Sequence, residues 1–336
     1  MRVTIKDISR YSGVSTSTVS RVLTKNPKVS EEALRKVQEA IDALGYIPNS
    51  AARSLVNKKR GMIGLIVPEL ENPYYTEIIH GVEEAASAKG FGTALSCHMD
   101  SAVDKQSIFK LLELGVDGII HAGPLQNDQL IDYLRMQKVP YVLLGRKLKG
   151  SDCSYVICND FQSAYQATRY LLDLGHRQIG FLFGKKNSYS SIQKYHGYLA
   201  ALKDAGVPAK EALIRTGSLS YRGGYEAAED LAEGQTEFTA VLSGNDMMAI
   251  GARDAFLKRG LSIPEDISLM GIDDIFWARV RGIDLTTIHV PQYEMGSKCF
   301  EILWRKIEEP QSGPEHCVLD GHLMERSSCR RITPAM

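Results

Sequence analysis

The sequence predicts a small all-α head followed by a larger α/β body with two open, doubly wound parallel sheets. Three observations lead to this fold class. Residues 1–48 space their apolar side chains as helices do, and the body from Met62 onward alternates apolar strands with helices. Between them, the basic run NKKRG over 57–61 marks a domain boundary. A chain of 336 residues is long enough for several domains with buried cores.

The head is predicted to contain three short helices. Thr4 and Asp7 have the spacing of a capping box, and the helix that they open buries Ile5 and Ile8. Gly13 ends this helix. The third helix starts at Ser30-Glu31-Glu32, ends at Gly45 and carries an apolar stripe of Leu34, Val37, Ile41 and Leu44. Two short helices joined by a tight glycine-containing turn, with a third closing the core, form the helix-turn-helix plan.

The second helix lies in the stretch SGVSTSTVSRVL over 12–23 and is unusually rich in Ser and Thr. At about 100° per residue, its apolar side chains share one side. The residues turned away from that side, which we expect to contact DNA, are Thr16, Ser17 and Arg21. Short hydroxyls approach base edges and phosphates closely, and Arg binds guanine O6 and N7 in a bidentate manner. Ser15 is predicted to cap this helix and to lie at the same interface.

The charge distribution supports a nucleic-acid partner for the head. Residues 1–60 hold twelve Lys/Arg and five Asp/Glu, a balance of +7, although the whole chain holds 40 of each. A basic head on an acidic body indicates that the head meets a polyanion. In the segment 49–60 between them, Asn49 is expected to cap a short helix over 50–56, which has too little apolar surface to be stable alone.

The body contains two rounds of strand and helix, which suggests two lobes. Strands are predicted at 63–67, 91–97, 118–121, 141–144, 179–183, 240–243, 267–271 and 285–290, and helices at 74–89, 104–114, 127–137, 161–174, 191–205, 222–233, 246–259 and 292–308. In such sheets, ligands bind beyond the carboxyl ends of the strands. The loops there present aromatic rings and acceptors suited to a polyhydroxy or heterocyclic ligand: Tyr74, Tyr75, Asn245 and Asp273. An alternative is that the tyrosines are core residues and that the polar residues are helix caps.

Several classes of protein are disfavoured. No nucleotide-binding, nucleophile-elbow, zinc-protease or EF-hand motif is present, and the eight histidines are scattered, so we expect no enzyme, no cofactor and no metal site. The six cysteines show no paired spacing, and no apolar run is long enough to span a bilayer. The N-terminal MRVTIKDISR is charged where a signal peptide is apolar. The cytoplasm is therefore the expected location.

The chain resembles the LacI/GalR family of transcriptional regulators in motifs that follow the family order along nearly its whole length. They are TIKDISRYSGVSTSTVSRVL, VSEEALRKVQEAIDALGYIPNSAARSL, IGLIVPELENPYY, LLELGVDGII, LLDLGHRQIGF, GNDMMAIGA, IPEDISLMGIDDI and LTTIHVP. The resemblance implies a helix-turn-helix domain (1–48), a hinge helix and linker (49–60) and an effector and dimerisation domain of periplasmic-binding-protein type (61–336). The N-lobe would take about 61–160 and 291–321, and the C-lobe about 161–290 and 322–336.

The resemblance also assigns residues. It makes Thr16, Ser17 and Arg21 the base-reading residues. In the hinge segment, Leu55 takes the place of the leucine that wedges into the minor groove, with Asn49 and Arg53 as further DNA contacts. In the effector cleft it implies contacts from Tyr74, Tyr75, Arg146, Lys194, Asn245 and Asp273. Lys194 replaces the usual family Arg, and Gly145 stands where many members have an Asp before Arg146.

The predicted function is that of a ligand-responsive repressor of a carbohydrate-utilisation operon, which binds a near-palindromic operator as a homodimer. The expected effector is a neutral or acidic carbohydrate, such as a sugar acid held by Lys194 and Arg146. Residues 325–336 show no apolar heptad of the kind used by tetrameric members, which favours a dimer. Two alternatives stay open: a solute-binding protein of a transporter, and a DNA-binding regulator controlled by a protein partner.

Overall fold

The computed structural model describes residues 3–23, 27–46, 60–97, 104–122, 129–148, 152–186 and 188–332. It divides the chain into two compact units, 1–60 and 61–336. The predicted fold class, a helical head and an α/β body with two sheets, is confirmed. The predicted hinge helix lies outside the described residues.

The head contains α1 (Ile5–Ser12), α2 (Thr16–Leu23) and α3 (Glu31–Leu44). Local hydrogen bonds define where the first two helices begin. The amide and hydroxyl of Thr4 both donate to Asp7 Oδ2, at 2.9 and 2.6 Å. The predicted cap at Ser15 is confirmed, because its Oγ accepts from the Thr18 amide at 3.2 Å.

The three helices of the head enclose a small apolar core. Its buried residues are Ile8, Val19, Val22, Val37, Ala40 and Tyr46. The predicted stripe of α3 is partly wrong, since the Leu34 side chain is 52% exposed and Ala40 takes part in the core instead. Leu34 lies in the first turn of α3, whereas the buried residues Val37 and Ala40 lie further along the helix.

The first sheet of the body has six parallel strands in the order β11-β5-β4-β3-β1-β2. They are β1 (Met62–Val67), β2 (Gly92–Cys97), β3 (Gly118–Ala122), β4 (Tyr141–Leu144), β5 (Tyr155–Cys158) and β11 (His316–Leu319). The associated helices are α4 (Pro73–Ala88), α5 (Asp104–Leu114), α6 (Gln129–Met136) and α11 (Gln292–Glu308). In the register of β1 with β3, Leu65 lies beside Ile120, and both are fully buried.

The second sheet has the order β12-β10-β9-β8-β6-β7. Its strands are β6 (Ile179–Phe183), β7 (Ile214–Thr216), β8 (Ala240–Ser243), β9 (Ser268–Asp273), β10 (Thr286–His289) and β12 (His322–Met324). Its helices are α7 (Asp160–Asp173), α8 (Tyr189–Asp204), α9 (Tyr221–Glu233) and α10 (Asp246–Lys258), with short 3-10 turns at Glu211–Leu213 and Phe276–Arg279. Strands β5, β7, β11 and β12 are additions to the strands that the sequence predicts.

The chain crosses between the two sheets at three places: after β5, after β10 and between β11 and β12. Strand β10 ends at the boundary between the sheets and β12 starts there, which is why these two strands are antiparallel. Because β5 and β10 both reach the boundary with their carboxyl ends, the two sheets direct those edges at one another. A cleft lined by strand-end loops follows from this topology.

Helices α4 and α11 are packed against each other closely enough to act as one unit. A Cβ atom on Gly81 of α4 would lie 2.0 Å from the Tyr293 carbonyl oxygen, and one on Gly296 of α11 would lie 2.2 Å from the Ile78 carbonyl oxygen. Backbone therefore meets backbone at both positions, and little sliding is open to either helix. We call these two helices the α4–α11 pair.

Two further observations complete the fold. All six cysteines are free thiols. Among the described residues, no helix is both long and apolar enough to cross a bilayer.

Candidate functional site

The exposed face of α2 carries the residues predicted to read DNA. Thr16, Ser17 and Arg21 are exposed, whereas Val19 and Val22 on the other side of the helix are buried in the core of the head. The core therefore fixes how this helix is rotated. Its hydroxyl-rich side is available to a partner.

Ser15 stabilises the start of the same helix through side-chain hydrogen bonds. Besides capping Thr18, its Oγ lies 2.9 Å from Ser17 Oγ and 2.9 Å from Thr18 Oγ1. This cluster of hydroxyls holds the first turn of α2 without a charged side chain. The remaining predicted DNA contacts, Asn49, Arg53 and Leu55, lie outside the described residues.

The cleft between the sheets holds a buried ion pair. Lys194 on α8 places its Nζ 3.6 Å from Asp160 Oδ1, and the two side chains are only 7% and 8% exposed. The same ammonium donates to the Gly244 carbonyl oxygen at 2.9 Å. Lys194 therefore binds the helix start at Asp160 and the loop after β8, two parts of the lobe that are distant in sequence.

Asp273, at the end of β9, is the second carboxylate near this lysine. Burial raises the pKa of Asp273 and of Asp160 above the ordinary value, and the nearby Lys194 opposes the rise in both. Burial would lower the pKa of Lys194, but the charges of Asp160 and Asp273 outweigh it and raise that pKa. The ammonium is thus charged and already faces two carboxyl groups.

Tyr74 and Tyr75 enter the cleft from the opposite side. Asn72 Oδ1 caps α4 by accepting from the Tyr74 amide at 3.1 Å, which places both rings at the start of the helix. The rings meet edge to face, with centroids 5.1 Å apart and planes at 89°. Both are partly buried against the apolar core. The alternative reading of the sequence, in which the tyrosines are core residues, therefore describes part of their role.

Tyr74 also reaches the second sheet's side of the cleft. It packs against the apolar cluster around Leu182 and Met248, although it belongs to α4 over the first sheet. Burial, together with the nearby Asp273, raises the pKa of Tyr74 well above its ordinary value. The phenol is therefore a neutral group beside the carboxylates, able to donate to a ligand or to water.

Asn245 and Arg146 occupy different settings. Asn245 caps α10, because its Oδ1 accepts from the Met248 amide at 2.9 Å while its Nδ2 donates to the Leu219 carbonyl at 3.1 Å. The contacts of Asn245 therefore match the alternative reading of the sequence, in which this residue is a helix cap. Arg146 lies just beyond β4 and is 7% exposed, at the carboxyl edge of the first sheet.

The sequence reasoning missed Asp160 and the surroundings of Asp274. Asp160 follows β5, a strand that the sequence pattern did not reveal, so its place at a sheet edge was hidden. Asp274 accepts from His289 Nδ1 at 3.1 Å, Arg279 Nη2 at 2.9 Å and Arg326 Nη2 at 2.5 Å. Burial alone would raise its pKa, but these three partners lower the pKa of Asp274 to about 2.

The described residues contain no group of three or more His, Cys, Asp or Glu side chains arranged to hold a metal ion. The cleft contains two aromatic rings, a lysine whose charge is offset by nearby carboxyl groups, and buried hydrogen-bond acceptors. These groups suit the binding of a small polar molecule.

Two family descriptions match the chain. "Bacterial regulatory proteins, lacI family" matches residues 4–49, and "Periplasmic binding proteins and sugar binding domain of LacI family" matches residues 60–324. Among curated relatives, the HTH-type transcriptional repressor PurR of Photorhabdus laumondii is 36% identical over 97% of this chain and 96% of its own length. The PurR of Mannheimia succiniciproducens is 33% identical over 98% of this chain and 99% of its own.

Solved structures give the same picture. The lac repressor dimer bound to operator and the anti-inducer ONPF has a TM-score of 0.87 at 27% identity, covering 98% of this chain and all of that one. A complex of the transcriptional regulator CelR with cellobiose has a TM-score of 0.76 at 29% identity, covering 97% and 100%. A LacI family regulator from Enterococcus faecium with bound ribose has a TM-score of 0.74 at 28% identity, covering 81% and 100%.

These matches exclude one of the two alternatives that the sequence left open. Both the head and the body match one regulator family over nearly the whole chain, so a solute-binding protein of a transporter is excluded, and the relatives are repressors rather than enzymes. The resemblance to this family is confirmed. The chain belongs to the LacI/GalR family of transcriptional regulators and is a DNA-binding transcriptional repressor.

Proposed function

We propose that this repressor binds a near-palindromic operator as a homodimer and that a small carbohydrate in the cleft sets its affinity for DNA. The observation that carries the effector part is the buried group of Asp160, Lys194 and Asp273 facing Tyr74 across the cleft. Sugars are held in proteins by carboxylates and cations on hydroxyls and by aromatic rings on the apolar sugar face. The sugar-bound relatives CelR and the Enterococcus faecium regulator support this class.

The charge balance of the cleft favours a neutral sugar over a sugar acid. Lys194 is already paired with Asp160, so a ligand carboxylate near it would compete with that carboxylate for the ammonium. A hydroxyl can accept from the ammonium and donate to a carboxylate at the same time. The proposed contacts are Tyr74, Tyr75, Arg146, Lys194, Asn245 and Asp273, to which the geometry adds Asp160.

The proposed DNA contacts are Thr16, Ser17 and Arg21 on α2, with Ser15 beside them and Asn49, Arg53 and Leu55 in the hinge segment. The proposed domain division keeps a head over 1–48, a hinge over 49–60 and an effector domain over 61–336, and we place the protein in the cytoplasm. Dimer formation is supported by the lac repressor dimer and by an exposed aromatic pair, Phe276 and Trp277, which are 67% and 48% exposed.

The proposed mechanism couples the two parts through the lobes. A ligand that prefers one lobe arrangement shifts the population toward it, and the two hinge segments then approach each other differently. Coupling of this kind is reciprocal, so operator binding must change ligand affinity by the same factor. A ligand that weakens operator binding is an inducer, and one that strengthens it is a corepressor. The change in operator affinity on adding ligand distinguishes the two.

The first test determines the operator. In vitro selection with the full-length protein should return a near-palindromic site, and Arg21→Ala should then relax base preference at one symmetric position, costing about 1–3 kcal/mol per site. A uniform loss over all sequences would make Arg21 a phosphate contact. Leu55→Ala should reduce operator bending, as measured by gel mobility of permuted fragments.

The second test determines the effector. Thermal-shift assays should compare matched neutral and acidic sugars, such as glucose with glucuronate and ribose with ribonate. We expect stabilisation by a neutral member, loss of that stabilisation in Asp273→Ala, and a change in operator affinity when the same sugar is added. Stabilisation by the acids alone would contradict the charge argument. Selection of an operator without any sugar response would favour control by a protein partner.

A further inference from the structure

A glutamine joins the effector cleft to the other lobe. Gln292 is the first residue of α11, which packs on the first sheet, and its side chain is almost completely buried. Its Nε2 donates to the carbonyl oxygen of Asp273, which ends β9 of the second sheet. This side-chain hydrogen bond therefore connects the two lobes directly at a residue that we propose to contact the effector.

The backbone of Asp273 is held in an unusual conformation. Its φ is +130°, a region that side-chain-bearing residues rarely adopt, and the next residue, Asp274, has φ +57°. Such conformations persist only where surrounding contacts hold them. The Asp273 carbonyl oxygen also accepts from the Val290 amide, at a long 3.3 Å. It therefore has two donors, the backbone amide of Val290 and the side-chain amide of Gln292.

On its other side, Gln292 belongs to the rigid α4–α11 pair. Gly81 and Gly296 bring the backbones of the two helices into contact, as described above. Met295, one turn along α11, accepts a weak hydrogen bond from Tyr74 OH, with 3.9 Å between oxygen and sulfur. These contacts form a continuous path from Asp273 through Gln292 to the α4–α11 pair, in which α4 carries Tyr74 and Tyr75.

We propose that Gln292 is a positioning residue that sets the Asp273 carboxylate relative to Tyr74 and couples the cleft to the α4–α11 pair. This inference rests on the proposed function, because it explains how occupancy at Asp273 reaches the lobe that follows the hinge segment in the sequence. The amide N–H of Gln292 is the essential group, since only a donor can bind the carbonyl oxygen. A side chain of equal size without a donor breaks the coupling.

The test compares three variants of the full-length protein. Gln292→Ala removes the side chain, and Gln292→Glu keeps its shape but presents a carboxylate, which repels the carbonyl oxygen. The matched control is Tyr293→Phe, which removes a hydrogen bond of the neighbouring residue to Glu84 Oε2 at 2.8 Å, entirely within the α4–α11 pair. Melting temperature reports any general loss of folding.

The first readout is amide hydrogen exchange without DNA or ligand. In Gln292→Ala and Gln292→Glu we expect faster exchange at Val290, whose amide shares the Asp273 carbonyl, and at Tyr75, whose amide donates to the Asn72 carbonyl at the start of α4. Tyr293→Phe should leave both rates unchanged. Faster exchange at Val290 alone would overturn the proposal, because the bond would then be local.

The second readout is affinity for the operator fragment selected by the wild type. Gln292→Ala and Gln292→Glu should each change Kd at least about five-fold, the lower end of usual coupling factors, with Tyr293→Phe unchanged. On acidification the Glu variant should return toward wild type, since a protonated carboxyl can donate, whereas the Ala variant should not. An operator Kd of the Glu variant that does not change with pH, or an unchanged Kd in both variants, would overturn the proposal.

Failure of the wild type to select any DNA would instead refute the proposed function. The hydrogen-exchange rates would still show whether Gln292 couples Asp273 to the α4–α11 pair.

Discussion

In the head, Thr16, Ser17 and Arg21 stand exposed on one face of a single helix, whereas in the cleft Asp160, Lys194 and Asp273 are buried and come from three separate elements. The head presents its functional groups by rotating one helix over a small core. The cleft assembles its groups by bringing the carboxyl edges of two sheets together. A surface that meets a large, hydrated polyanion can stay exposed, but a site for a small molecule must remove both partners from water.

The same contrast appears in how the two regions hold their carboxylates. Hydrogen bonds from the Thr4 hydroxyl and amide lower the pKa of Asp7 in the head. In the cleft region, burial raises the pKa of Asp160, Asp246 and Asp273. Local contacts therefore stabilise the charged form of Asp7, while burial penalises it at these three cleft residues. Asp274 differs from them because its three hydrogen-bonding partners outweigh its burial.

The largest expected effect that tests this contrast is the loss of the buried ion pair. Lys194→Gln leaves the carboxyl groups of Asp160 and Asp273 buried without their cation, so the free energy of unfolding should fall by about 3 kcal/mol, the lower end for removing one partner of a buried pair. Urea unfolding of the full chain measures it. The control is Glu226→Gln, which breaks an exposed pair with Arg222 on α9 and should leave unfolding unchanged. An equally small change for Lys194→Gln would show that the lysine does not stabilise the two buried carboxyl groups.

The next effect is a pH dependence that belongs to the body. Burial raises the pKa of Asp246 from 3.8 to about 6, against the opposing hydrogen bonds from the Thr287 hydroxyl and the Ile275 amide. The folded state therefore binds this proton more tightly than the unfolded state, and stability is lost as the pH rises from about 4 to about 6. A difference of two pKa units corresponds to roughly 3 kcal/mol.

Asp246→Asn should remove most of that slope. Its amide oxygen still accepts from Thr287, but its NH2 group cannot accept from the Ile275 amide. That loss is the same at every pH, so the pH slope still reports the titrating group. Urea unfolding at pH 4, 5, 6 and 7 should show the variant gaining stability relative to wild type as the pH rises. Parallel curves for the two proteins would show that Asp246 is not the titrating group.

The smallest effect tests the head. Ser15→Ala removes the cap of α2 and should cost about 1 kcal/mol, because the Thr18 amide loses its acceptor. Faster hydrogen exchange at Thr18 in the full-length protein measures it, with the melting of the body unchanged. Ser15→Asn, which retains a capping side chain, should restore slow exchange. If operator affinity falls equally in both variants, Ser15 contacts DNA in addition to capping.

Much of the fold follows from patterns within short stretches. The helices of the head, the strands with fully apolar runs and the cap at Ser15 depend on neighbours within about one helical turn, so periodicity and capping residues predict them. The short strands β7, β11 and β12 escaped prediction, because three or four residues carry too little pattern to separate a strand from a loop. Strand β5, in the run SYVICND, was missed for the same reason.

The site divides in the same way. The exposed side of α2 could be derived from residue angles, since a helix fixes where each side chain points. Tyr74, Tyr75 and Asp273 were recognisable as strand-end residues, but the partner of Lys194 was not. Asp160 lies 34 positions earlier in the chain, and nothing in either local stretch indicates that the two meet.

The sequence by itself determined the order of the helices and longer strands, the rotation of α2, which we propose reads DNA, and the edge of the sheets at which we propose that a ligand binds. Only the tertiary structure decided which charges are paired there, and that Gln292 contacts Asp273 across the lobes. The physical reason is the distance along the chain over which each kind of interaction acts. Helix and strand patterns are set by backbone geometry over a few residues, whereas the burial and pairing of a charge depend on which distant segments exclude water from it.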